Sequence, residues 1–251
     1  MEEVKVKSLY KAVKLLDCFS IDSPERGISE LSELTGMCKS SVHNIITTFE
    51  KCEFIEKNLQ NSKYRLGIKI LQLNNILYLT NDLRNTVRPY LEKISAFSNE
   101  CVYFAIPAEL EVIYLDTVYT SGNTSGRSII GIKAPMYCTG VGKAIMANLD
   151  PETIEQVLNL GLAPCTPYTI TDKDKMVKEL DLIKCMGYAV DNMEHEYGIK
   201  CVSVAIRNIN GNVVGSVSIS GPSLRFTNDK ILGYADFLIN ISNELKGILQ
   251  K

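Results

Sequence analysis

Asp191, His195 and Cys201 fall within one short stretch, AVDNMEHEYGIKC, where Gly198 interrupts regular structure. A thiol, an imidazole and a carboxylate are the parts of a Cys-His-Asp hydrolase, in which the base takes the thiol proton and the acid orients the base. Such a site also needs donors for a developing oxyanion, and nothing beside Cys201 fixes them. The same groups can instead hold a ligand. Gly140-Val141-Gly142 opens a helix and is flanked by Thr139 and Lys143. Free N–H groups at a helix start attract a carboxylate or phosphate, and glycine lets a ligand approach the backbone. Ser218 and Ser220 alternate in SVSISG, so both hydroxyls project from one side of a strand. On an ordinary half-buried strand that side is apolar, so paired serines mark a wet cavity. Together these segments describe a pocket for a small anion. A metal centre using Glu194, His195, Glu196 and nearby cysteines is a minor option, because the chain has two histidines and no ligand spacing pattern.

A second cluster lies near the start of the chain. Ile28 to Lys51 reads as two short helices joined by a turn at Gly36, with Ser29 as an N-cap and Leu31 and Leu34 on one face. In the second helix Val42, Ile45, Ile46 and Phe49 follow the i, i+3, i+4, i+7 spacing of a buried stripe. The other face carries Lys39, Ser40, Ser41, His43, Asn44, Thr47 and Thr48. A solvated face would hold more Glu and Lys; short donor-rich side chains suit a helix lying against phosphates and base edges in a major groove.

The flanking elements extend this reading. Leu9, Ala12, Val13, Leu16 and Phe19 form the apolar stripe of a helix over roughly Ser8 to Ser20. Phe54 to Glu56 begins a strand, Leu59 to Ser62 is a polar turn, and Lys63 to Leu66 returns as a second strand. Three helices and a two-stranded ribbon make a winged helix-turn-helix, with Lys63 and its neighbours Gln60, Asn61 and Ser62 at the wing tip. Charge does not by itself suggest nucleic acid: residues 1–65 carry 10 basic and 10 acidic side chains, the rest 17 and 19. Locally, Lys39 to Arg65 holds five basic residues against three acidic ones.

With 251 residues and 45% hydrophobic content the chain can bury one or two ordinary cores. No apolar run approaches the ~20 residues of a membrane span, and MEEVKVKSLYK has no signal-peptide core. Eight cysteines without a CxxC pair argue against a zinc ribbon or a disulfide scaffold. Most are expected to be buried small hydrophobes in a reducing cytoplasm.

Leu66 to Leu83 is helical in period and apolar on more than one side, and reads as a linker and dimerisation helix. From Arg84 the chain becomes mixed. Arg88-Pro89 opens a helix, CVYFAIPAELEVIYLDTVYT is a hairpin turning near Glu109, and GRSIIGIKAPMYC is a strand region. Helices begin at Asp150-Pro151 and Thr171, strands flank the Asn210-Gly211 turn, and Asn228 to Gln250 closes with a helix. Strands and helices do not alternate strictly, so an antiparallel α+β sheet is expected.

The segments ISELSELTGMCKSSVHNIITTFEK and KYRLG resemble the DNA-binding domain of IclR-type transcriptional regulators. APMYCTGVGKAIMANL, YTITD, GYAVDNMEHEYGIKC and SVSISGPSLR resemble the IclR effector domain, in the same order along the chain. The resemblance implies a winged helix domain (1–66), a linker helix (67–83) and an effector domain of GAF/profilin-like α+β fold (84–251). It implies a regulator rather than an enzyme, acting as a repressor, with no cofactor. Its partners would be double-stranded operator DNA, a small 2-keto or sugar acid, and further copies of itself in a homodimer or dimer of dimers. Carried across by motif, the effector site falls on Gly140, Val141, Asp191, Cys201, Ser218 and Ser220, with Met136, Ile199 and Ile132 as its apolar wall. In one place the chain departs from the family: where a basic residue is common in the recognition helix, Asn44 follows His43. Asn pairs bidentately with adenine, so an A·T-richer operator is expected.

Overall fold

The computed structural model describes residues 4–120 and 129–249. They divide into two compact units, residues 1–81 and 82–251. In the first, α1 (Lys7–Leu16), α2 (Ile28–Thr35) and α3 (Lys39–Lys51) precede a ribbon of β1 (Ile55–Lys57) and β2 (Tyr64–Leu66), and α4 (Ile68–Thr80) follows. Leu15, Leu31, Val42, Ile46, Ile55 and Tyr64 make the core of this unit. The ribbon is antiparallel, with Glu56 opposite Arg65. Gly36 ends α2 in the left-handed region at φ 68°, which lets the chain turn directly into α3.

Several local expectations are corrected. The N-cap of α2 is Gly27, not Ser29, and its N–H donates to the Glu30 carboxylate at 2.6 Å. Leu34 points outward, as do Leu9 and Val13 of α1. Helix α1 instead buries Leu15 and partly buries Ala12 and Leu16, with Phe19 half-buried just past its end, so its covered stripe is rotated from the expected one. The long helix expected from Leu66 to Leu83 breaks at Asn81, whose ψ of 101° is extended. The next helix, α5 (Asp82–Ser98), starts ahead of Arg88-Pro89 and carries Pro89 within it.

The second unit is built on one antiparallel sheet of six strands in the order β5-β4-β3-β8-β7-β6. These are β3 (Cys101–Ala108), β4 (Glu111–Val118), β5 (Lys133–Pro135), β6 (Ala189–Asn192), β7 (Ile199–Arg207) and β8 (Val213–Pro222). Glu109 takes φ 58° at the β3–β4 turn and Gly211 φ 85° at the β7–β8 turn. The expected strand region from Gly126 is described only from Ile129 onward; Gly126 to Ser128 lie outside the described residues.

Side chains alternate across the sheet. Val102, Phe104, Val202, Val204, Val217 and Ile219 pack with α5 and the final helix α9 (Asn228–Lys246). Arg84 and Arg88 of α5 reach the buried Asp116 on β4 at 3.1 and 3.0 Å. The opposite face receives α6 (Gly140–Met146), α7 (Pro151–Asn159) and α8 (Lys173–Met186) over a core including Met136, Ile145, Met146, Met176 and Leu180. Every residue of α6 is buried. The cysteines divide differently from expectation: Cys101 and Cys138 are buried, while Cys38, Cys52, Cys165 and Cys185 are exposed. No helix among the described residues is long and apolar enough to cross a membrane.

Candidate functional site

Strand register brings distant residues of the second unit together. Asp191 on β6 lies opposite Cys201 on β7, Cys201 opposite Ser220 on β8, and Ser220 opposite Cys101 on β3. One step along, Ser203, Ser218 and Tyr103 form a parallel row. The α6 end of this face opens into a cavity of about 710 Å³. Gly140, Val141, Asp191, Cys201, Ser218, Ser220, Ile132 and Ile199 all line it. Met136 does not; it is fully buried in the core beneath α6.

The glycines of α6 have a packing cause. A Cβ on Gly140 would lie 2.5 Å from Ser203 Oγ, and one on Gly142 would lie 2.4 Å from the backbone of Met136. Gly140 lets the helix sit directly on strand β7, and Gly142 lets it pack against the turn that follows β5. Thr139 caps it, accepting from Gly142 N–H at 3.1 Å. Gly140 and Val141 begin the helix, where N–H groups have no carbonyl a turn back, and they do so at the cavity wall.

Lys143 does not flank the site as a solvated polar group. Its side chain is fully buried, and its ammonium donates to Glu194 at 2.5 Å, Glu179 at 2.8 Å and the Val190 carbonyl at 2.8 Å. Burial alone would depress its pKa, but the two carboxylates overcome that and hold it above the ordinary lysine value. The bridge ties α6 to the 192–198 loop, whose Glu194 N–H donates to Asp191 at 2.7 Å. Burial pushes the Asp191 carboxyl up to about 7, against the pull of that hydrogen bond.

The thiol of Cys201 donates to Ser220 Oγ at 3.2 Å, and burial, with Asp191 nearby, pushes its ionisation far up. Burial also lowers the pKa of His195, which borders the cavity. A protonated thiol bonded to a serine is not a poised nucleophile. No cluster of three or more metal-ligating side chains occurs among the described residues. Among the lining residues not evident in the sequence are Lys133 and the pair Tyr103 and Tyr114, whose rings meet edge to face at 5.7 Å. Their strands alternate ordinarily, and no spacing marks them out.

In the first unit Lys39, Ser40, His43, Asn44 and Thr48 of α3 are exposed and Ser41 and Thr47 half-buried. Ser40, Asn44 and Thr47 lie opposite the Val42–Ile46 stripe. Asn44 also borders a small recess with Ala12 of α1 and Phe49. The wing is less free than expected. Lys63 pairs with Glu30 at 3.0 Å, Arg65 pairs with Glu56, and the Asn58 and Asn61 amides donate to Glu25 at 2.9 and 2.6 Å.

A winged helix-turn-helix combined with a ligand-sized α+β cavity defines a class, the DNA-binding transcriptional regulators that respond to small molecules. Comparison with known proteins sharpens this. Residues 8–59 match the IclR helix-turn-helix domain, and residues 77–246 match the bacterial transcriptional regulator IclR C-terminal domain. The chain belongs to the IclR family. It is 28% identical over 245 residues to the HTH-type transcriptional regulator KdgR of Dickeya chrysanthemi, covering 96% of this chain and 80% of that one. It is 31% identical to the crystal structure of the Thermotoga maritima IclR, with a TM-score of 0.73 over 97% of this chain and 99% of that one. A homologue from Microbacterium hydrocarbonoxydans, complexed with 4-hydroxybenzoate, is 21% identical, with a TM-score of 0.80 over 96% and 100% of the two chains. The protein is therefore a DNA-binding regulator and not a hydrolase.

Proposed function

We propose that this chain is a cytoplasmic repressor whose hold on operator DNA is altered by a small organic acid bound in the cavity of the second unit. Residues 1–66 would read DNA, 67–83 would link, and 84–251 would bind the acid. The observation that carries the reading is the row Asp191–Cys201–Ser220, set beside the first turn of α6 in a cavity that also presents Tyr103, Tyr114 and the charged Lys133 and Glu196. The N–H groups of Gly140 and Val141 and the hydroxyls of Ser218 and Ser220 hold the carboxylate. Asp191 accepts from a ligand hydroxyl or a bound water, and Ile132, Ile199, Tyr103 and Tyr114 cover the rest.

Size narrows the acid. A cavity of about 710 Å³ lies within the ~300–1,000 Å³ of ordinary ligand sites. It is far larger than glyoxylate or pyruvate fills, and the tyrosine pair offers both faces and hydroxyls. This favours a sugar acid or an aromatic acid, and the 4-hydroxybenzoate complex of the Microbacterium homologue supports that direction. The HTH-type transcriptional repressor AllR of Escherichia coli, 23% identical over 244 residues, supports the sign of regulation.

A homodimer or dimer of dimers is supported by α4, which buries none of its residues and exposes Ile68, Leu71, Leu73, Ile76, Leu77 and Leu79. Ligand shifts operator binding only if it prefers one arrangement of the paired DNA heads.

A thermal-shift screen of the full chain against 2-keto, hydroxy, sugar and aromatic acids tests the reading. A ligand at 100 times its Kd stabilises by about 2.7 kcal/mol, which raises the melting temperature visibly. The expected hit is a six-carbon or aromatic acid whose effect is lost in Asp191→Asn and Ser220→Ala. A hit that survives both substitutions would remove the ligand from this cavity.

A further inference from the structure

We propose that the DNA backbone is held on this chain by helix α1, through Lys7, Lys11 and Lys14, rather than by the wing. The proposal takes DNA binding by the first unit as given and assigns its phosphate contact. The three lysines follow i, i+4, i+7 spacing, so they share one face of α1. All are exposed, and the sequence of α1, KSLYKAVKLL, contains no acidic residue. They line a cleft of about 470 Å³ whose other wall is the turn of the helix-turn-helix and the start of α3: Gly36, Cys38 and Ser41. That places three cations beside the end of the recognition helix that carries the partial positive charge of its dipole. From Lys7 to Lys14 the helix rises about 10.5 Å, long enough to follow a short run of phosphates on one strand.

The comparison with the wing selects this surface. Among the described residues, none of these lysines lies within ion-pair distance of a carboxylate. Lys14 sits instead over the Tyr10 ring at 5.7 Å, which leaves its charge available. Of the wing's cations, Lys63 is paired with Glu30 and Arg65 with Glu56, which leaves, among the described residues, Lys57 over the Tyr64 ring at 5.7 Å as a single cation against the three of α1. Glu25 adds a third carboxylate beside the wing tip. A phosphate approaching Lys63 or Arg65 meets ion pairs it must break and carboxylates that repel it. A phosphate approaching α1 meets three ammonium groups that pair with no carboxylate among the described residues.

The test uses the full chain and a fluorescein-labelled mixed-sequence DNA duplex, with binding followed by anisotropy over a salt series. Each phosphate neutralised contributes about 0.9 to the slope of log affinity against log salt. The combined variant Lys7→Gln, Lys11→Gln, Lys14→Gln is expected to flatten the slope by about 2.7 for each DNA head that touches the duplex. The pair Lys63→Gln, Arg65→Gln is expected to change it by less than about 0.9. An unchanged slope in the α1 variant, or a larger change in the wing variant, overturns the assignment. Absence of binding by the wild-type chain at low salt would instead strike the DNA-binding reading itself.

A second measurement needs no substitution. The exposed Cys38 thiol stands at the wall of the same cleft, and hydrogen bonds with the Ser40 and Ser41 hydroxyls lower its pKa to about 7. Iodoacetamide therefore labels it readily near neutral pH. DNA seated on α1 is expected to protect Cys38 at least tenfold while Cys165 and Cys185, exposed in the other unit, react as before. Equal labelling of Cys38 with and without saturating duplex would overturn the proposal.

Discussion

The two faces of strand β8 differ in what they are for. Val217 and Ile219 point into the aliphatic layer under α5 and α9, while Ser216, Ser218 and Ser220 point to the α6 side. All five are buried. The aliphatic face is held mainly by packing. The serine face cannot gain much from dispersion and is organised by directed contacts: Ser216 donates to the Val204 carbonyl at 2.9 Å, and Ser220 accepts from Cys201. One deeply buried group there, the hydroxyl of Ser203, finds no partner at all. A buried polar group without a partner costs about 1–3 kcal/mol. The sheet thus stores stability on one side and capacity for a ligand on the other.

The largest way to break this contrast is at Lys143, the one strong stabiliser on the polar side. Lys143→Met would leave Glu194 buried without its counter-ion, and stability measured by urea denaturation should fall by about 3–5 kcal/mol. A loss under about 1 kcal/mol would mean that Glu194 is protonated or hydrated and that the bridge does not hold α6. On the aliphatic side, Ile219→Ala should cost about 2–5 kcal/mol through the cavity it leaves. The folded fraction should still bind the acid with unchanged affinity. A parallel loss of affinity would show that the two faces are not separable.

Ser218→Ala and Ser220→Ala should behave in the opposite way. Each removes a hydroxyl from the cavity wall, so ligand affinity measured by calorimetry should fall by about 1–3 kcal/mol per hydrogen bond lost. Stability without ligand should move less than affinity does. A serine variant that melts early and binds normally would place these hydroxyls in the fold rather than in the site.

Much of this was legible in the sequence because it is local. The turns at Glu109 and Asn210-Gly211, the buried stripe of α3 and the paired serines all follow from periodicity within a few residues. What was not legible depends on distant partners. Lys143 reads as a surface residue until Glu179 and Glu194, 36 and 51 positions away, are brought to it. Helix α1 has two apolar stripes, and only packing against α2 and α3 decides that Leu15 is covered and Leu9 and Val13 are not. Met136 lies close to Gly140 in sequence yet beneath α6 in space. The tyrosines of the cavity carry no signal of their own. They enter it only because β3 and β4 are neighbours.

The smallest and sharpest effect expected is that of pH, through Asp191. Burial raises its carboxyl from the ordinary value of 3.8 to about 7. A group raised in this way binds protons more tightly in the folded state than in the unfolded one. Its contribution to stability is full below pH 3.8 and is lost as pH rises through about 7. The same proton governs the ligand. An ionised Asp191 places a second negative charge beside the carboxylate held at the start of α6, whereas a protonated one does not. Affinity for the acid should therefore rise as pH falls from 8 to 6, by at most about tenfold per unit. In Asp191→Asn, which loses the acceptor, whatever binding remains at high ligand concentration should be weaker and free of this pH dependence. If the wild-type chain binds equally well at pH 6 and pH 8, Asp191 does not face the carboxylate, and the polar row is turned toward another part of the ligand.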